Sequence, residues 1–156
     1  CRLKGYEKFS PKRIILDKNL EIKQSSYIFK SSKKENTFIF HNSLNFDKIR
    51  ILKKRGIRLI KLKTNQDNLF NLNKILKIVF KNGIRNLLVE GGDKLTKAFL
   101  FNRLFDKFYL FKSPKKLSKY NEHVNFTSLN ILDKKYSKKT KIISKVANDK
   151  IIIYKR

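Results

Sequence analysis

Methionine and tryptophan are missing altogether from these 156 residues, and only one cysteine and two histidines are present. A lone thiol cannot build a disulfide framework, and Cys1, His41 and His123 cannot complete a four-ligand zinc site, so no metal is expected. Such sparing use of cysteine fits a reducing compartment, and a cytoplasmic location is expected. No apolar run reaches the ~18–20 residues that a membrane-spanning helix needs, and no apolar stretch follows the basic N-terminus as a secretory signal requires. With no Met at its start, the sequence is expected to lack its N-terminal part, because Cys1-Arg2-Leu3-Lys4-Gly5 does not read as the opening of a fold. Acids are also scarce, 12 against 39 basic residues, for a formal net charge of +27.

That charge invites a nucleic-acid reading. Against it, 31 of the cations are Lys and 8 are Arg, alongside abundant Asn, Ile and Phe. This joint excess is what A- and T-rich codons produce. The Lys are also spread along the whole chain, which describes a solvated surface better than a binding face. The content of 40% hydrophobic and 12% aromatic residues is enough for a core in one domain of ordinary size, more than a disordered chain carries.

The pattern alternates strands and helices, the mark of an α/β architecture. Strands are predicted at Arg13 to Asp17, Tyr27 to Phe29, Thr37 to Phe40 and Ile57 to Leu62. Phe46 to Lys54 is predicted helical, with Gly56 as its stop. Asn68 to Asn82 is the clearest helix, with Leu69, Leu72, Leu76 and Val79 or Phe80 on one face, and Gly83 ends it. Ile84 to Val89 reads as a central strand, Asp93 to Leu104 as a helix with Leu95 and Phe99 inward, and Phe105 to Phe111 as a strand ending near Pro114. Lys115 to Asn125 reads as a loop. Beyond it only strands are expected: Leu129 to Leu132, Thr140 to Val146 and Ile151 to Tyr154, the last two joined as a hairpin at Asn148-Asp149. His41 and His123 lie in polar segments and read as surface residues, and no side chain is an obvious general acid or base.

The informative segment is Leu87-Leu88-Val89-Glu90-Gly91-Gly92-Asp93-Lys94-Leu95. A strand ends in an acid, two glycines follow, and a helix opens. Paired glycines permit a tight turn and a close backbone approach, and a helix N-terminus attracts phosphate. The plainer reading is a tight turn with Asp93 as N-cap. Glu90, at the carboxyl end of a strand, can accept hydrogen bonds from hydroxyls or ring N–H groups, or pair with a nearby Lys. Neither the G-x-G-x-x-G fingerprint nor the P-loop is present.

Read together, these segments resemble a known family. Gly83 to Phe101 is similar to the strand–E-G-G–helix segment of the riboflavin-biosynthesis reductase domain. Pro11-Lys12-Arg13-Ile14-Ile15-Leu16-Asp17 resembles its P-x-R-hydrophobic-hydrophobic-L-D strand. Phe105 to Tyr109 and Ser113-Pro114-Lys115 resemble its next strand and P-K turn, all in the family's order. The resemblance implies a dihydrofolate-reductase-like fold: a central mixed sheet flanked by helices, with a C-terminal antiparallel hairpin, in one reductase domain over 1–156. It implies NADPH-dependent reduction of 5-amino-6-(5-phosphoribosylamino)uracil to the ribitylamino product. By similarity, Gly91, Gly92, Asp93, Lys94, Leu95, Thr96, Lys97 and Ala98 hold the cofactor. Lys18 stands where the family often has Ser or Thr near that cofactor. Arg2 and Glu90 are implied to contact the phosphorylated pyrimidine substrate. The family's opening strand and helix, and its zinc deaminase half, are expected upstream, and proteins of this fold often pair as homodimers. A basic nucleic-acid-binding domain and an inactive fragment of the reductase are the alternatives left open.

Overall fold

Arg13-Ile14-Ile15-Leu16 and Thr37-Phe38-Ile39-Phe40-His41 are apolar almost throughout, as suits strands covered on both faces. In the computed structural model they form β1 (Arg13–Leu16) and β2 (Thr37–His41), which join β3 (Arg58–Lys61) in a parallel sheet of order β1-β2-β3. The structure describes residues 5–6, 9–33, 36–114, 126–143 and 149–156. The chain divides into two compact units, Cys1–Lys81 and Asn82–Arg156.

In the first unit, α2 (Phe46–Lys54) is the crossover between β2 and β3. Asn45 caps it by accepting the Lys48 N–H at 2.9 Å. Its C-terminus closes as a Schellman turn: Gly56 N–H donates to Lys53 O and Ile57 N–H to Leu52 O. Gly56 takes φ +82°, which glycine adopts without strain, so this stop is as the sequence predicts. The turn brings Leu52 and Ile57 together in a buried cluster with Leu20 and Ile39, against which Ile15, Ile49 and Leu59 pack. Every residue of β2 is buried, Phe40 completely, whereas β1 is half-buried and Arg58 and Lys61 at the ends of β3 are exposed.

Two features of this unit depart from expectation. Tyr27 to Phe29 belongs to a one-turn helix, α1 (Tyr27–Lys30), and not to a strand. Serines decide it: Ser26 Oγ accepts the Phe29 N–H, while the Ser31 and Ser32 hydroxyls donate to Tyr27 O and Ile28 O. Arg55 adds guanidinium bonds to the Phe29 and Lys30 carbonyls. The predicted helix from Asn68 starts later, as α3 (Leu72–Lys81). Asn68 sits at φ +58°, Asn65 Oδ1 accepts the Leu69 N–H, and Asn71 Oδ1 accepts the Lys74 N–H. Ile75 and Val79 are its buried residues, and Phe80 is exposed.

The second unit contains α4 (Asp93–Phe101), β4 (Lys107–Lys112), α5 (Leu129–Lys135), β5 (Lys139–Ile143) and β6 (Lys150–Lys155). Its strands pair antiparallel in the order β4-β6-β5, so the expected C-terminal pairing of β5 with β6 is present. Asn148 of the expected turn lies outside the described residues, as does Lys115 to Asn125. Parallel and antiparallel strands are thus both present, as a mixed sheet requires, but they pair in two groups of three. Leu100, Leu132, Tyr136 and Tyr154 form the buried core, with Phe105 and Phe108 packed on it. The Phe105 and Tyr136 rings meet edge to face at 4.9 Å, and the Tyr136 hydroxyl donates to Leu100 O at 2.7 Å.

Here too the structure corrects two expectations. Leu129 to Leu132 is helical, because Leu129, Leu132 and Tyr136 recur at helical spacing and all reach that core. Ile84 to Val89 is not a central strand: it joins no ladder among the described residues, and Leu87, Leu88 and Val89 are exposed. A strand requires a neighbour for its N–H and C=O groups, and apolar side chains alone cannot supply one. No described helix is long and apolar enough to cross a membrane.

Candidate functional site

Every helix start exposes several N–H groups that the helix itself cannot satisfy. In α1 and α2 a Ser or Asn side chain meets one of them. At α4 the N-cap is Gly92, with φ −72° and ψ −179°, and no side chain caps the terminus. The first bond within this helix runs from Thr96 N–H to Gly92 O, so the N–H groups of Asp93, Lys94 and Leu95 precede it. A Cβ placed on Gly92 would meet nothing within 4 Å, so open space faces this positive helix end. A Cβ on Gly91 would come within 2.8 Å of Leu95 Cδ2, so the Leu95 side chain closes over that glycine.

Asp93 is the first helical residue, not the N-cap. Its carboxylate turns away from its own terminus and ties α4 to the start of α5. Oδ1 accepts the Ser128 N–H at 2.8 Å and the Ser128 hydroxyl at 2.5 Å, and Oδ2 accepts the Thr127 hydroxyl at 2.7 Å. The Ser128 hydroxyl, its N–H and the Thr127 hydroxyl together push the Asp93 pKa down to about 2. The group is therefore anionic at neutral pH, and its backbone N–H is what remains to face a ligand. Lys94 and Lys97, both exposed on α4, offset its charge.

A carboxyl whose pKa is lower in the folded than in the unfolded chain stabilises above its unfolded value of ~3.9, and loses that stabilisation as pH falls toward the folded one. Asp93→Asn therefore lowers the thermal midpoint by a few degrees at neutral pH. The gap between the two proteins narrows as pH falls from ~5 toward the folded value of about 2. Midpoints measured by circular dichroism across that range test the assignment. A gap independent of pH would show that the carboxylate is not what ties the helices.

The other expected site residues fall as follows. Glu90 is exposed, directly after Val89. Thr96 and Ala98 are half-buried on α4, and the Ala98 carbonyl accepts from Asn102. Lys18 is in the first unit, where its carbonyl accepts the Asn42 N–H at the carboxyl edge of the parallel sheet. The turn after it is tied by its own side-chain bonds: Asp17 accepts the N–H groups of Glu21 and Ile22, and the buried Leu20 takes φ +59°. Arg2 and His123 lie outside the described residues. Glu90 to Ala98 thus forms one continuous strip in the second unit.

His41 is not the surface residue expected. It ends β2, is 3% exposed, and its Nδ1 has no hydrogen-bond partner among the described residues. The polar Asn42-Ser43 that follows hides this, yet its place at the end of a fully buried strand is the signal that could have revealed it.

The model of the family described as RibD C-terminal domain matches residues 2–149. The riboflavin biosynthesis protein RibD of Aquifex aeolicus (strain VF5) is 30% identical over 148 residues, covering 94% of this chain and 39% of that protein. The chain thus spans about two fifths of the curated relative's length. Among solved structures, Acinetobacter baumannii RibD superimposes with a TM-score of 0.65 at 17% identity, over 93% of this chain and 37% of that one. A pyrimidine reductase-like protein from Corynebacterium diphtheriae gives 0.68 at 16% identity, over 97% and 65%.

Proposed function

The chain belongs to the RibD C-terminal domain family, and on that premise we propose that it is the reductase part of a riboflavin-biosynthesis deaminase/reductase. Its fold class is α/β, of the dihydrofolate-reductase-like kind. The reaction is NADPH-dependent reduction of 5-amino-6-(5-phosphoribosylamino)uracil to its ribitylamino counterpart. The family match runs through both units, which supports reading them as one reductase domain. The greater length of the curated relative leaves room for the zinc deaminase half that this reading places upstream. A reducing compartment such as the cytoplasm suits this chemistry.

The observation that carries the reading is the start of α4: a side-chain-free N-cap, uncapped N–H groups and clear space in front of them. Those features fit a phosphate of the cofactor. The backbone from Gly91 through Ala98 and the Thr96 hydroxyl would hold it, with Lys18 reaching a second phosphate. Bound NADPH would supply the hydride that C1′ of the opened ribose receives. Glu90 would accept hydrogen bonds from the substrate, and Arg2 would clamp its phosphate. The chain's task is to hold the two molecules in attack geometry, which alone can supply several kcal/mol.

The test is the complete gene product supplied with NADPH and the pyrimidine. We expect saturable loss of NADPH absorbance that depends on the pyrimidine and becomes much slower in Glu90→Gln. A folded complete product that neither binds NADPH nor consumes it would overturn the reading.

A further inference from the structure

Asp93 creates a conflict at the start of α4. An acid at the first residue of a helix is drawn to the positive end of the helix dipole, and Asp side chains readily bond nearby backbone N–H groups. A phosphate at the same place wants those N–H groups for itself. Left free, the carboxylate would settle over them and repel a second anion. In the structure no side chain caps α4. Both Asp93 oxygens are taken elsewhere: Oδ1 by the Ser128 N–H and hydroxyl, Oδ2 by the Thr127 hydroxyl.

Ser128 gives up a bond of its own helix to do this. It is the N-cap of α5, where a serine hydroxyl ordinarily accepts an N–H of the first turn, yet it makes no such bond. Completely buried, it donates instead to Asp93 Oδ1 at 2.5 Å. Thr127 is exposed, and its hydroxyl donates to Oδ2 at 2.7 Å. At the other end of α5, the C-cap Tyr136 donates its hydroxyl to Leu100 O in the last turn of α4. The two helices are therefore pinned start to start and end to end, running side by side in the same direction. That pinning fixes where the first N–H groups of α4 point. It also holds the carboxylate ionised in a place set by three donors, not by the helix terminus.

We propose that Thr127 and Ser128 are positioning residues for the cofactor: they hold the Asp93 carboxylate back from the start of α4, so that its N–H groups stay open to a phosphate of NADPH. The inference rests on the reductase reading and extends it to two hydroxyls at the start of α5.

The test is calorimetric titration of the complete gene product with NADPH. Thr127→Val with Ser128→Ala frees the carboxylate and is expected to weaken NADPH at least about tenfold, equivalent to ~1.4 kcal/mol. Adding Asp93→Ala to that pair removes the competing carboxylate and is expected to bring back about tenfold in affinity, although the helices have then lost the tie from both sides. Hydroxyls that served only to hold α5 on α4 would give no such recovery. Thr127→Val alone, a change at an exposed position, puts the fold least at risk. It is expected to weaken NADPH about threefold, with recovery on adding Asp93→Ala. Unchanged affinity in the variants lacking the hydroxyls, or no recovery on adding Asp93→Ala to a protein with a native circular dichroism spectrum, would overturn the proposal and leave the reductase reading standing. An unaltered protein that binds no NADPH would overturn that reading and the proposal with it.

Discussion

Gly92→Val is expected to weaken NADPH binding at least ~100-fold, while Gly92→Ser weakens it less and makes the chain slightly more stable. Both follow from the α4 terminus. The backbone of Gly92 lies in the extended region open to any residue, and a Cβ there meets nothing within 4 Å, so the chain itself tolerates a side chain. What a valine fills is the space in front of the N–H groups. Losing two charge-assisted hydrogen bonds of ~1.5–3 kcal/mol each accounts for two decades or more of affinity. Serine brings its own oxygen to those N–H groups and so competes with the phosphate while improving the cap by a few tenths of a kcal/mol. The chain has six Tyr and no Trp, so quenching of Tyr fluorescence reads the binding and thermal melts read the stability. Unaltered NADPH affinity in a folded Gly92→Val protein would remove α4 as the phosphate site.

Leu52→Ala should cost about 2–5 kcal/mol, the range for a fully buried leucine replaced without collapse of its surroundings. Leu52 is 0% exposed. It lies in the cluster of Leu20, Ile39 and Ile57, and its carbonyl closes the turn at the end of α2. Total stability of a domain this size is typically ~5–15 kcal/mol, so this one change removes a large share. Denaturant unfolding compared with the half-buried Ile22→Ala is the measurement. A loss below ~1 kcal/mol would mean that the cluster is not a packed core.

How much of this was legible in the sequence depends on where each residue's partner lies. Arg13 to Leu16, Thr37 to Phe40 and Phe46 to Gly56 could be read because their signals are local: unbroken apolar runs, a 3.6-residue period and a glycine at the stop. Tyr27 to Phe29 could not, because three apolar residues fit either period and the serines around them decided the matter. Leu129 to Leu132 failed for the same reason, since the residue that completes its stripe is Tyr136. The helix pattern from Asn68 was sound in kind, but Asn side chains bonding nearby N–H groups moved its start to Leu72. At the candidate site, the helix after Gly92 was legible, whereas the Asp93 bonds to Thr127 and Ser128 span 34 and 35 residues that no motif connects. His41 was obscured by the polar residues that follow it.

The stretch from Ile84 to Val89 has a practical side. It is apolar apart from Arg85 and Asn86, carries no acid or proline, and joins no ladder among the described residues. Its exposed Leu87, Leu88 and Val89 side chains form an apolar strip to which a second chain can adhere. Aggregation that rises with protein concentration is therefore expected to depend on this strip. A lysine at Leu88, the most exposed apolar position of the run at 69%, is the substitution that would act as a gatekeeper and keep the protein in solution.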